Sequence, residues 1–131
     1  MPYYVRFKKG VKFDPIAPAA ATILAAIWSA AQTMQRDLLV TCGSESHKPP
    51  SRHVLGEAVD LGVGGMDGRQ VVTLWRTLCN SLGVPFYVSI EAKEMPADDA
   101  LKPYVTLNSA ATGLHIHIQP VKGTVYAAEQ K

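Results

Sequence analysis

The hydrophobic and polar positions of this chain alternate most cleanly over Leu114–Gln119. Leu114, Ile116 and Ile118 fall on one side of an extended strand, and His115 and His117 on the other. Ala58–Val63 alternates in the same way. There Val59, Leu61 and Val63 oppose Ala58, Asp60 and Gly62, so Asp60 lies on the less apolar side. Asp37–Thr41, Pro85–Ile90 and Tyr104–Leu107 are shorter β-type runs, and residues 1–15 read as extended and basic, with a short strand at a sheet edge. Helical spacing takes over elsewhere. Ile23, Leu24, Ile27, Ala30, Ala31 and Met34 predict a helix over Pro18–Gln35, with start signals at Asp14 and Pro15. Val71, Val72, Trp75, Leu78, Cys79 and Leu82 predict a second over Arg69–Leu82, capped by Asp67 and stopped at Gly83.

Polar and glycine-rich stretches separate these elements. Ser44–Arg52 holds Pro49 and Pro50, Gly62–Gly68 must turn, and residues 92–103 are charged and carry Pro96 and Pro103. Helices and strands mix without a βαβ rhythm, and no repeat appears. The expectation is a single α+β domain over 1–131, with a small antiparallel sheet flanked by helices.

Composition narrows the partners. A net charge of +2, with no Lys/Arg stripe interleaved by aromatics, argues against nucleic acid. The longest apolar stretch, Ile16–Ala31, is broken by Pro18, Thr22 and Ser29, which is too short and too polar for a membrane span. The N-terminal MPYYVRFKKG lacks the apolar run of a secretory signal, so synthesis in the cytoplasm is expected, and a monomer. Cys42 and Cys79 have no ligand-type spacing and read as small buried hydrophobes.

The chemistry concentrates in two segments. Ser51–Asp60 reads SRHVLGEAVD, and Leu114–Ile118 reads LHIHI. Together they offer His53, Asp60 and one histidine of the His-x-His pair as zinc ligands. Two imidazoles and a carboxylate leave one position of a tetrahedral zinc open, the mark of a catalytic rather than a structural site. His115 and His117 leave the same strand face, about 7 Å apart at Cα, and either can meet Asp60 if the two strands are neighbours. Gly56 lets the chain turn sharply so that His53 folds back over Asp60, and Ser51 can bond the backbone of that turn. A His-x-His pair alone is more often the wet face of a sheet. The joint pattern is far more specific.

That joint pattern, Ser51, His53, Gly56, Ala58 and Asp60 followed by His115-Ile116-His117, resembles the zinc D-Ala-D-Ala carboxypeptidase family, whose fold is shared with the Hedgehog signalling domain. The family includes bacterial DD-carboxypeptidases, dipeptidases of vancomycin resistance and phage endolysins. The resemblance spans residues 38–119. It implies His53, Asp60 and His117 as zinc ligands, His115 beside the metal, and hydrolysis of peptidoglycan stem peptides by a zinc-activated water. A phage-type release would then carry the enzyme to the cell wall.

Two departures bear on catalysis. Glu45 stands where the family carries an arginine for the oxyanion, with Lys48, Arg52 and Arg69 as candidate replacements. No acid precedes the last histidine. His115, with an ordinary pKa of about 6.5, is the nearest proton carrier, and Glu91 is the second choice. Glu57 is expected to point away from Asp60, and His47 to be a loop histidine. These gaps keep open a second class of function, a zinc-binding interaction module that has lost catalysis.

Overall fold

The computed structural model describes residues 2–14, 16–43 and 57–121. In chain order the elements are β1 (Val5–Phe7), α1 (Pro18–Met34), β2 (Leu38–Cys42), β3 (Val59–Gly62), α2 (Gly68–Leu82), β4 (Phe86–Ala92), a 3-10 turn over Lys102–Tyr104, β5 (Val105–Leu107) and β6 (His115–Pro120). The α+β expectation holds. The sheet is larger than expected, with six strands in the order β1-β2-β3-β6-β4-β5. It is also mixed rather than antiparallel: β1 runs parallel to β2, and β5 runs parallel to β4. Both parallel pairs lie at the sheet edges, while the four inner strands pair antiparallel. A helix or long loop separates the partners of each parallel pair in sequence, and this is the connection a parallel pair requires.

Local chemistry explains the helix limits. Asp67 accepts from the Gln70 amide while the Gln70 side chain accepts from the Asp67 amide, a reciprocal cap at the start of α2. Asp98 adds a second acceptor to this end, taking the Gly68 N–H at 2.9 Å. At α1 the helix begins at Pro18, as expected, but without the expected acidic cap. Asp14 does not cap the helix; Ala17 is its flanking residue and Pro18 opens the first turn. The helix stops where Gln35 takes a left-handed conformation at φ 54°.

One face of the sheet is covered. Ile23 and Ile27 of α1 and Leu74 and Leu78 of α2 form a single apolar cluster with Val40, Leu61, Ile90, Ile116 and Ile118 from the strands. All of these are fully buried. Each buried aliphatic of this size contributes roughly 1.5–3 kcal/mol, so the alternating strand residues that face the helices hold the fold. The opposite face is left for polar side chains. Cys42 and Cys79 are half-buried rather than fully buried.

Candidate metal centre

Strand register assembles the site on the face away from the helices. Asp60 of β3 pairs with Cys42 of β2 on one side and His117 of β6 on the other, and His117 pairs in turn with Ser89 of β4. The next row runs from Gly62 through His115 to Glu91 and Thr106. Because side chains alternate, these two rows project to the same side. A register shift between Val40 and Cys42 sets Cys42 opposite Asp60, an irregularity of the kind that re-aims side chains. Gly62 carries no side chain where a Cβ would come within 2.8 Å of Thr41 Cγ2.

The polar groups form a connected chain. His117 Nδ1 lies 2.8 Å from Asp60 Oδ1, and its Nε2 lies 2.8 Å from Gln119 Oε1. His115 Nε2 lies 3.2 Å from Glu91 Oε1 and 3.8 Å from Asp60 Oδ1, while its Nδ1 donates to the Gly113 carbonyl at 3.0 Å. Ser89 Oγ donates to Glu91 Oε2 at 3.1 Å, and Asn108 Nδ2 donates to Glu91 Oε1 at 3.2 Å. The four titratable side chains are each only 13–16% exposed. They form part of the lining of a cleft of about 550 Å³, together with Lys8, Thr41, Cys42 and the 110–114 segment.

Electrostatics follow from these contacts. The hydrogen bond from His115, with those from Asn108 and Ser89 and the charge of His117, holds Glu91 at about 2 despite its partial burial. His115 is raised in return, first by the Glu91 bond and then by the Gly113 carbonyl and the charge of Asp60. Burial pulls His117 down, but bonds to Asp60 and Gln119 and the charges of Asp60 and Glu91 outweigh it, and its pKa is raised. Without metal, each histidine thus has a carboxylate partner that favours its protonated form.

Asp60 and His117 suit a metal. The Nε2–H of His117 donates to Gln119, which turns Nδ1 toward the carboxylate of Asp60. A proton there can be exchanged for a cation. Two ligands held at 2.0–2.1 Å on a tetrahedral zinc sit about 3.3 Å apart, within half an ångström of the 2.8 Å seen between these atoms. Gln119 then plays the part of the outer hydrogen-bond partner that metal-bound histidines use to fix their ring. Among the described residues no group of three or more His, Cys, Asp and Glu side chains is arranged to hold an ion. The remaining ligand of the expected set, His53, lies outside the described residues, as do Glu45, His47, Lys48, Ser51, Arg52 and Gly56.

Compared with family models, curated proteins and solved structures, the chain matches none.

Of the expected site residues, the fold brings together Asp60, His117, His115 and Glu91. Glu57 is buried just ahead of β3. Arg69 does not face the cleft; it borders a separate depression with Asp67 and Asp98 at the start of α2. Sequence reasoning passed over Gln119, Ser89, Asn108 and Lys8, and set Cys42 aside as a small buried hydrophobe. Gln119 was legible, since it continues the His115–His117 alternation by two residues. The other four enter through cross-strand register and loop closure, which no local pattern carries.

Proposed function

We propose that this chain is a zinc-dependent peptidase acting on peptidoglycan stem peptides, with His53, Asp60 and His117 as the metal ligands. The observation that supports it best is the Asp60–His117 contact at 2.8 Å, across neighbouring strands and at the wall of an open cleft. Zinc at this position would polarise a peptide carbonyl and lower the pKa of a water toward about 7. Around it the chain supplies its own machinery. Gln119 fixes the His117 ring. His115, 3.8 Å from the Asp60 carboxylate, is placed to hold a proton beside the reacting bond and pass it to the departing amine. Glu91, bonded to His115 at 3.2 Å, orients that ring and is the second candidate to carry the proton.

Zinc-loaded protein is to be incubated with purified peptidoglycan and with D-Ala-D-Ala peptides, with and without chelator. New amine ends that disappear with chelator are the expected result, and Asp60→Asn should abolish them together with zinc uptake. One observation favours the second reading, a zinc-binding interaction module without catalysis. Both carboxylates near the two histidines, Asp60 and Glu91, are already engaged by imidazoles. Stoichiometric zinc without cleavage of any muropeptide would select that reading.

A further inference from the structure

The cleft has an electrostatic direction that neither histidine row explains. The two acids among the described residues that line it, Asp60 and Glu91, lie on β3 and β4. On its β1 side stands Lys8, the only Lys or Arg among the described residues that line it. The Lys8 amide donates to the Val40 carbonyl at 2.9 Å, extending the parallel ladder in which Arg6 sits opposite Leu39 and Phe7 opposite Val40. Two residues beyond Arg6, Lys8 projects from the same face. The two cations have different occupations. Arg6 is committed to the fold, since its Nε lies 2.7 Å from Asp37 Oδ2 and its guanidinium stacks 5.8 Å from the Tyr4 ring. Lys8 makes no ion pair among the described residues, and its side chain is exposed at the cleft wall.

We propose that Lys8 is a specificity residue that takes a carboxylate of the bound peptide and so sets the direction in which the peptide lies across the sheet. The proposal rests on the peptidase reading. Asp60 and Glu91 are already engaged by His117 and His115, so Lys8 is the cation among the described lining residues left to take a substrate carboxylate that enters the cleft. The anionic end therefore lies toward β1, with the bond to be cut over the Asp60–His117 pair and the rest of the peptide running toward β4 and the 110–114 segment. The carboxylate adjacent to the cut bond is either the free chain end of the substrate or an acidic side chain. Both share the chemistry that Lys8 recognises.

The test compares wild type with Lys8→Met and Lys8→Arg. Neither substitution touches the Lys8 amide that bonds Val40. Three acetylated dipeptides serve as substrates for the zinc-loaded proteins: D-Ala-D-Ala, its C-terminal amide, and the C-terminal amide of D-Ala-D-Glu. Wild type should prefer a carboxylate-bearing peptide over the neutral amide. Lys8→Met should lose that preference by about tenfold, through KM more than kcat, and Lys8→Arg should retain it. Preference for the free chain end identifies the terminal carboxylate as the group held; preference for the D-Glu amide identifies the side chain. A separate binding measurement uses D-alanine and D-alaninamide, titrated by NMR into the zinc-loaded proteins. If wild type cuts neither these dipeptides nor peptidoglycan, the peptidase reading fails, and this titration alone decides Lys8. A Lys8-dependent advantage of the acid over the amide upholds the assignment. An advantage that survives in Lys8→Met, or no advantage in wild type, overturns it.

Discussion

The two faces of this sheet are made by alternate residues of the same strands, yet different forces order them. On the helix face, Val40, Leu61, Ile90, Ile116 and Ile118 lose all exposure against α1 and α2. That face is held by apolar burial, which is non-directional and grows with area. On the cleft face, Asp60, His117, His115, Glu91 and Ser89 meet through directional contacts of 2.8–3.8 Å. One residue of register slip would exchange the two faces. The apolar face therefore fixes the register, and the register delivers the polar rows. Stability and chemistry are separable on neighbouring residues.

The sharpest way to break that separation uses two adjacent positions of β6. Ile116→Ala removes a fully buried side chain and should cost about 2–5 kcal/mol in chemical denaturation. His117→Ala, one residue away on the other face, should cost less, about 1–3 kcal/mol, yet end zinc uptake and peptide cleavage. Equal losses of stability at the two positions would show that the cleft face also holds the fold together.

The same contrast explains what could be read from the sequence. Apolar alternation located β3 and β6, and helical spacing located both helices to within a residue or two, because burial leaves a periodic trace. The reciprocal cap of Asp67 and Gln70 confirms the start of α2 from residue chemistry alone. The edge pairings left no such trace. Whether β1 joins β2 parallel, or β5 joins β4, depends on where the chain returns after long connections. Within the site, Asp60 and His117 were legible as residue types, but their contact needed β3 and β6 to be neighbours in a register that sets Asp60 against His117. Glu91 was visible as a strand-end acid. Its bond to His115 depends on the β4–β6 pairing, which no local pattern carries.

A smaller effect distinguishes the two polar rows from each other. Glu91 hydrogen-bonds His115 and reaches His117 only through its charge, so Glu91→Gln should spare zinc binding and slow cleavage by about 10- to 100-fold, as loss of an outer partner does. The metal-free variant gives a second readout. His115 is raised first by its bond to Glu91, so its titration followed by NMR should move down when the carboxylate becomes an amide. An unmoved His115 would mean that the rows are not wired as described, and that Asp60 or the Gly113 carbonyl governs this imidazole instead.

The smallest expected change sits on the same face as the histidines but carries no charge of its own. Ser89 is buried at 5% exposure, stands opposite His117 across the strand pair, and donates to Glu91 Oε2. Ser89→Ala removes that bond and should cost about 1 kcal/mol at neutral pH, well under the cost of Ile116→Ala on the opposite face. The sign of the pH effect follows from Glu91. Its carboxyl is lowered from 4.5 to about 2, so its stabilising contribution is complete above the ordinary value and drains away as pH falls through about 2. The serine hydroxyl is one of the donors that hold it down, after His115 and Asn108. In Ser89→Ala the Glu91 carboxyl should therefore titrate above its wild-type position, and the variant should begin to lose this contribution at a higher pH on acidification. NMR titration of Glu91 in the two proteins measures the difference directly. A carboxyl that titrates identically in both would detach Ser89 from the polar rows and leave it as a buried serine that merely fills the strand.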